Sequence, residues 1–147
     1  MVRESRSYSC PPGQLQSQSI TDSVHPELNM GDSFKDLVVC QRAMQHCVEI
    51  YQLTSTFPDP ERFGLTSQLR RAAVSIASNI AEGYGRSSTG EYRLFLGHAR
   101  GSNCELQTQL AIASALGFGS VSSFAPVENL SAEVSRLLIP MMDKLHK

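Results

Sequence analysis

Hydrophobic residues recur at helical spacing through most of the chain after residue 33, and they divide it into four segments. The first segment runs from Phe34 to about Ser55, with one broad apolar stripe and polar residues opposite. This 3.6-residue period predicts an amphipathic helix, which Ser33 and Asp36 can cap as a capping box. His46 falls among the solvated positions. The stripe comprises Leu37, Cys40, Ala43, Met44, Cys47, Val48, Ile50 and Tyr51.

The second segment, LTSQLRRAAVSIASNIAEGYGR at residues 65–86, follows the helix-breaking sequence FPDPERFG. Its core stripe is narrow, and most of its other positions carry small side chains. We expect such a helix to pack on two sides, within its own chain and against a neighbour. Gly83 and Gly85 predict its end. The stripe is formed by Leu65, Leu69, Ala72, Ile76 and Ile80.

The third segment begins at Ser88, in capping-box spacing with Glu91, and extends to Gly117. Its main apolar face contains Tyr92, Phe95, Leu96, Ala99, Leu106, Leu110 and Ala113. A second face carries small residues, namely Gly97, Gly101, Cys104, Thr108, Ile112 and Ala115. Glycine inside a helix costs roughly 1 kcal/mol relative to alanine. Two interior glycines therefore predict that another helix approaches this face closely, as in an oligomer.

The last segment spans about Ser123 to His146, and the interior Pro140 predicts a kink or an end. Its apolar face holds Val127, Leu130, Val134, Leu137, Leu138, Met141, Met142 and Leu145. No segment alternates like a strand. Four helices with short connections predict an all-α, antiparallel up-down-up-down four-helix bundle over residues 33–147. Residues 1–32 are rich in Ser, Gln, Pro and Gly, which predicts a disordered N-terminal tail.

Charge and cysteine content narrow the function classes. The net charge is −1, and the residues after 33 carry eleven basic and ten acidic groups. This is not the bulk excess of a sequence-independent nucleic-acid binder, so an anion site needs local arrangement or repetition by symmetry. No apolar run is long enough to span a membrane. The cysteines at 10, 40, 47 and 104 lack metal or redox spacing, so we expect no metal, no cofactor and a cytoplasmic location.

Arginines supply the candidate nucleic-acid surface. Arg93 and Arg100 lie seven residues apart, with Gln107 continuing the row, and Arg86 lies in the loop before them. Arg70, at the edge of the second helix's core stripe, is a further candidate. The row is either an ordinary solvated helix face or a phosphate-binding surface. Five copies in a symmetric assembly would concentrate a positive potential that the net charge of one chain hides.

Polar residues between the second and third helices are interpreted as an inter-helix or inter-subunit network. Its members are Arg71, Ser75, Asn79, Glu82, Ser102 and Glu105. For Arg71, an ion pair and anion binding both stay open. Ser102 and Glu105 also lie near His98, but no base-and-orienter pair or glycine-rich elbow accompanies the serine. We therefore expect no catalytic residues and no enzyme.

Three stretches carry a resemblance to a known family. They are FKDLVVCQRAMQHCVEIYQLT, FGLTSQLRRAAVSIASNIAEGYGR and EYRLFLGHARGSNCELQTQLAIA. Together they resemble the bacterial four helix bundle protein family, whose founding members are encoded in intervening sequences within 23S ribosomal RNA genes. The family is related to the accessory variability determinants of diversity-generating retroelements. The resemblance extends over residues 34–146.

The resemblance implies a four-helix protomer in a ring-like homopentamer with a non-enzymatic role. The retroelement relatives contact a reverse transcriptase and bind nucleic acid through a basic surface. Here Cys40 stands where the family usually has tryptophan, and the charge is nearly neutral, unlike the basic retroelement branch. The leading hypothesis is an oligomeric module that binds nucleic acid, structured RNA before DNA. The alternative is a protein-interaction scaffold for a neighbouring enzyme, such as a reverse transcriptase, without nucleic-acid binding.

Overall fold

Four α-helices follow one another in the structure, a computed structural model that describes residues 33–146. They are α1 (Val38–Thr54), α2 (Leu65–Tyr84), α3 (Thr89–Ala115) and α4 (Val121–Lys144), with short 3-10 helices at Phe34–Asp36 and Asp59–Phe63. No strand occurs within residues 33–146, so the all-α four-helix bundle is confirmed. The predicted disordered tail, residues 1–32, lies outside the described residues.

Each helix packs against the next one along the chain, and α1 also packs against α4. Within the described range, no Cα atoms of α1 and α3, or of α2 and α4, lie within 8 Å of each other. The four helices therefore enclose one core, with each helix contributing one face. Its fully buried residues come from all four helices and include Ile50, Leu69, Ile76, Ile80, Leu96, Leu106, Leu110, Val134 and Leu138.

Side-chain contacts fix how α3 lies against its two neighbours. As residue numbers fall along α2 they rise along α3, in the contacts Gly83–Phe95, Ser75–Ser102 and Gln68–Gln109. Residue numbers along α4 also fall as those along α3 rise, in the contacts Gly97–Met142, Asn103–Ser135 and Gln107–Ser131. A set of specific pairs, rather than apolar burial alone, therefore sets the register of α3.

The start of α1 differs from the sequence prediction. Ser33 and Asp36 form the expected reciprocal capping box, but it caps the 3-10 turn Phe34–Asp36 rather than an α-helix. Leu37 then adopts an extended conformation (φ −68°, ψ 120°), and α1 begins only at Val38.

At α3 the expected cap is present, since the Ser88 hydroxyl accepts a hydrogen bond from the backbone N–H of Glu91 (3.2 Å). At Pro140 the helix does not end, because α4 continues to Lys144.

The broad apolar stripe predicted on α1 divides into two parts. Leu37, Cys40, Ala43 and Ile50 are buried, but Met44, Val48 and Tyr51 are 41%, 57% and 44% exposed. The packing explains the difference, because the neighbouring helices of α1 in the bundle are α2 and α4. Those two helices cover one edge of the stripe and leave the other edge open.

The prediction that His46 is solvated was wrong. His46 is 1% exposed and lies on the buried side of α1, three residues after Ala43 and four before Ile50. No hydrogen bond of ordinary geometry satisfies either ring nitrogen within residues 33–146. Burial lowers the pKa of His46 to about 4, and the backbone of Val127 only partly opposes this shift. The imidazole is therefore neutral in the folded chain at pH 7.

A buried polar network joins α3 to α4. Asn103 is fully buried, and its amide nitrogen donates to the Ser131 carbonyl (2.9 Å) and the Ser135 hydroxyl (2.8 Å). The Ser131 hydroxyl donates to the Asn103 amide oxygen (2.8 Å) and accepts from Gln107 Nε2 (2.9 Å). Because a buried amide is costly without partners, only the observed register of α3 on α4 satisfies this set.

Gly83 permits the close packing of α2 on α3. A Cβ atom at this buried position would lie 2.8 Å from Phe95 Cβ and 2.9 Å from Tyr92 Cδ2. Contacts this short force a backbone or side-chain shift. The glycine near the end of α2 is therefore required by packing, in addition to the helix-ending role that the sequence predicts.

We expect Gly83→Ala to lower the free energy of unfolding by about 1–3 kcal/mol, the usual cost of overpacking a filled site. Gly85→Ala, two residues later, is the matched control. Its Cβ would meet nothing closer than 3.6 Å, and Gly85 has an ordinary helical φ of −78°. Gly85→Ala should leave stability unchanged or raise it slightly. Denaturant unfolding followed by circular dichroism measures both, and equal stability of the two variants would contradict the packing role of Gly83.

His46 makes stability depend on pH. Its folded pKa of about 4 lies below the ordinary 6.5, so the unfolded chain binds the extra proton first as pH falls. The resulting loss of stability begins near pH 6.5 and is complete below about pH 4, amounting to roughly 3 kcal/mol. Carboxylates titrate in the same range, so His46→Leu is the comparison. Wild type should lose more unfolding free energy than the variant over this interval, whereas parallel pH profiles would contradict a buried neutral imidazole.

Candidate nucleic-acid interface

Arg86 is held at the junction of α2 and α3. It forms an ion pair with Glu82, one turn earlier in the chain, and its guanidinium stacks over the Phe95 ring at 4.5 Å. Glu82 was predicted to belong to the network between α2 and α3, but here it pairs with Arg86. The charge of Arg86 is thus partly neutralised within the chain, which makes it a weaker phosphate ligand than an unpaired arginine.

Arg93 and Arg100 keep their charges unpaired. No acidic group within residues 33–146 forms an ion pair with either of them. Arg100 is exposed, whereas Arg93 is half-buried and its Nε lacks a hydrogen-bond partner in the same range. Gln107, which continues the row, donates to Ser131 on α4. The row therefore runs along the α4 side of α3, and no ion pair within residues 33–146 neutralises either of its two arginines.

Arg70 lies at the opposite side of the bundle, between α1 and α2. Its Nε donates to the Thr54 hydroxyl (2.9 Å), and its guanidinium lies 4.5 Å from the centre of the Tyr51 ring. These contacts fix the side chain at the end of α1. The structure therefore separates Arg70 from the α3 row, although the sequence analysis grouped all four arginines as one candidate surface.

Part of the predicted polar network is present between α2 and α3. The hydroxyl groups of Ser75 and Ser102 are hydrogen-bonded at 2.9 Å, and Asn79 Nδ2 donates to the Ser75 hydroxyl at 3.0 Å. Glu105 instead accepts from Gln109 Nε2 (2.9 Å). Arg71 is exposed and has no ion-pair partner within the described chain. Of the six residues predicted for this network, Ser75, Asn79 and Ser102 are thus joined by hydrogen bonds.

The small-residue face of α3 points away from the core. Gly101, Cys104 and Thr108 are exposed, and a Cβ at Gly101 would meet no atom within 4 Å. Gly97 is partly covered, since its Cβ would lie 3.8 Å from Met142 Cε. Ile112 on this face and Leu94 beside it are 46% and 56% exposed. Within residues 33–146, nothing fills the space that Gly101 leaves.

A groove of about 780 Å³ opens where the α1–α2 connection meets α2 and α3. Its lining includes three arginines, Arg62, Arg70 and Arg71, and one carboxylate, Glu105. Phe63, at its rim, is 87% exposed. The sequence analysis missed Arg62 and Phe63, because they lie in the helix-breaking segment rather than in a periodic pattern. The adjacent pair of Arg62 and Phe63 in that segment was the signal that the sequence offered.

A second, more apolar groove of about 560 Å³ lies beside the first, on the faces of α1 and α2. Cys47, Val48, Tyr51 and Val74 line it. Val48, Tyr51 and Val74 are each more than two-fifths exposed. Tyr51 belongs to both grooves, so the apolar surface and the arginine-lined surface are continuous.

The serine, glutamate and histidine that lie near one another on α3 do not form a catalytic site. The Ser102 hydroxyl bonds to Ser75, Glu105 bonds to Gln109, and His98 packs edge-on against the Phe95 ring at 5.6 Å. These three residues therefore do not form a hydrogen-bonded triad. Within residues 33–146, no cluster of His, Cys, Asp and Glu could hold a metal ion. None of the helices in that range combines the length and the hydrophobicity needed to cross a membrane.

Comparison with known families decides the relationship. Residues 35–140 match the model of the 23S rRNA-intervening sequence protein family. The chain belongs to this family. The resemblance found in the sequence is thereby confirmed, and the matched range contains α1, α2 and α3 completely and most of α4.

A solved structure agrees with the fold of this 23S rRNA-intervening sequence protein. It is a crystal structure at 1.70 Å of a protein of unknown function from the S23 ribosomal protein family of Bacteroides thetaiotaomicron. The two chains share 23% identity with a TM-score of 0.67, and the alignment covers 71% of this chain and 98% of the other. At that identity the similarity supports the fold alone. A comparison with curated proteins finds no match.

Proposed function

We propose that this 23S rRNA-intervening sequence protein is a non-enzymatic, cytoplasmic module that binds structured RNA as a homo-oligomer. In the proposed assembly, five antiparallel up-down-up-down bundles form a ring. The observation that carries the proposal is the pair Arg93 and Arg100, which form no ion pair within residues 33–146, beside an exposed face of α3 in the same range.

The outer face of α3 supports the oligomer. Gly97 and Gly101 together cost roughly 2 kcal/mol of helix stability relative to alanine. At Gly101, no contact with another described residue compensates for that cost, since a Cβ there would meet no atom of residues 33–146 within 4 Å. A helix from a second copy can approach such a face closely, and its contacts with Cys104, Thr108 and Ile112 would offset the loss. The same copy would cover the exposed Leu94.

The arginine row supports RNA as the ligand. Arg93 and Arg100 lie two helical turns apart, and each keeps a full positive charge. One such pair gives weak phosphate binding, but a ring repeats it five times around one axis. Repetition raises the local potential without changing the net charge of each chain. Arg86 and Arg70 are secondary contributors, because contacts within the chain already hold both guanidinium groups.

A protein-binding scaffold is the second candidate. The observation in its favour is the apolar groove on α1 and α2, with Val48, Tyr51 and Val74 exposed along it. Such a surface fits an apolar helix of an enzyme encoded nearby, for which a reverse transcriptase is one example. Binding of this kind is insensitive to salt, whereas RNA binding through arginines weakens steeply as salt rises.

We expect Gly101→Leu to shift the mass measured by light scattering at micromolar concentration from an oligomer toward the 16.1 kDa chain. Ala132→Leu, at an exposed position on α4, is the control and should leave the mass unchanged. Leucine at 101 meets open space within the chain, so the helical circular dichroism spectrum should be retained. A wild-type protein that is monomeric at this concentration would refute the oligomer.

We expect Arg93→Gln/Arg100→Gln to weaken binding of a hairpin RNA by at least about tenfold at about 50 mM salt, where electrostatic contacts are strongest. Arg136→Gln/Lys144→Gln, at exposed positions on α4, removes the same charge and should change affinity far less. Fluorescence anisotropy with a labelled hairpin measures both. Equal losses in the two double variants would show that only net charge matters, and no wild-type binding at this salt would exclude RNA as the ligand.

A further inference from the structure

The groove between α1, α2 and α3 has an unusual balance of charge. Three arginines line it, and Glu105 is the one acidic residue of its lining. The Glu105 carboxylate accepts from Gln109 and forms no ion pair with an arginine in the described chain. Glu61, adjacent to Arg62, accepts from the backbone N–H of Leu65. The lining thus carries a net charge of +2, and no carboxylate within residues 33–146 forms an ion pair with its arginines.

Two of its arginines are positioned by aromatic rings. The Arg70 guanidinium lies 4.5 Å from the centre of the Tyr51 ring, and the Arg62 guanidinium lies 5.5 Å from the centre of the Phe63 ring. Arg70 is fixed further by its bond to Thr54. Stacking orients a guanidinium without neutralising it, so its N–H groups still point at an incoming acceptor. The side-chain hydroxyls of Thr66 and Ser67 lie along the same wall.

Phe63 identifies the rest of the ligand. Its side chain is 87% exposed at the rim, although a phenylalanine usually stabilises a fold by burial. An exposed aromatic ring beside arginines is the arrangement with which proteins bind unpaired nucleotides, the base stacking on the ring and the phosphate meeting the cations. An acidic peptide would use the arginines but would gain little from a flat aromatic surface.

We propose that this groove binds an unpaired nucleotide, with the phosphate at Arg62 and Arg71 and the base stacked on Phe63. Its volume of about 780 Å³ is within the range of small-molecule sites and accommodates one nucleotide with its flanking phosphate. The groove lies at the side of the bundle formed by the α1–α2 connection, separate from the arginine row of α3. This proposal rests on the proposed function, because the ligand is again RNA. It adds the recognition of a single-stranded segment next to the structured one.

The test is anisotropy with a labelled single-stranded oligouridylate and the full chain, at about 50 mM salt. Phe63→Ala should weaken binding at least about fivefold, the lower end of the effect of losing one stacked base. Val121→Ala is the matched control, since Val121 is 91% exposed and lies outside the groove. Both residues are too exposed to affect folding, which circular dichroism would verify. An unchanged affinity of Phe63→Ala would overturn the proposal.

Two further probes separate the base from the phosphate. With an abasic oligomer of the same length, Phe63→Ala should have no effect, because no base is left to stack. Arg62→Gln/Arg71→Gln should weaken binding of both oligomers at least about tenfold, and Arg136→Gln/Lys144→Gln should not. Arg70 is left intact because its loss would also remove the contact with Thr54. Equal effects of Phe63→Ala on both oligomers would contradict base stacking.

Competition identifies the source of the nucleotide. Displacement by uridine monophosphate at an affinity close to that of the oligomer would assign the groove to a free nucleotide, and a much weaker effect would assign it to an RNA chain. Displacement by polyglutamate with no dependence on Phe63 would overturn the proposal in favour of an acidic protein. A fully paired RNA duplex separates the two RNA surfaces, since it offers no unpaired base and groove variants should leave its affinity unchanged. If only the α3 row affects hairpin binding and Phe63→Ala has no effect anywhere, the groove fails while the proposed function stands.

Discussion

The close approach of α2 to α3 is the constraint on which the rest of the structure depends. Small side chains make it possible, because a Cβ at Gly83 would collide with Tyr92 and Phe95, and because Ser75 and Ser102 are short enough to hydrogen-bond at 2.9 Å. The buried amide of Asn103 fixes α4 on the other flank of α3. With both flanks occupied, α3 has only its outer face left for a partner, and that face carries Gly101 and Cys104.

A chain of nearly neutral charge presents two cationic surfaces because, within residues 33–146, its acidic residues form no ion pair with the arginines of those surfaces. Glu82 pairs with Arg86, and Glu133 pairs with Arg42 at 2.9 Å. Within residues 33–146, arginines without an ion pair cluster along the α4 side of α3 and in the groove beside the α1–α2 connection. Net charge counts all of these groups equally, whereas a phosphate responds mainly to those within a few ångströms. Local pairing therefore decides which surfaces can bind an anion.

The sequence predicts the helices and most of the core well, because burial follows the same 3.6-residue period that defines a helix. Leu69, Ile76 and Leu106 are buried as expected. His46 shows where the method fails, since its position is that of a core residue but its polarity argues for solvent. The groove could not be predicted, because it joins Phe63 in an irregular connection to Glu105 on α3, and no periodicity relates them.

The central claim is that a second copy covers the outer face of α3, and the reactivity of Cys104 tests it most directly. Cys104 is exposed in the single chain, while Cys40 is buried and burial raises the pKa of its thiol, so Cys40 reacts slowly in any case. Alkylation can be followed at each site by peptide mass spectrometry. At micromolar concentration, Cys104 should react on the order of tenfold more slowly than in the urea-unfolded chain, with the rate rising on dilution. A Cys104 that reacts at the unfolded rate at every concentration would contradict the account.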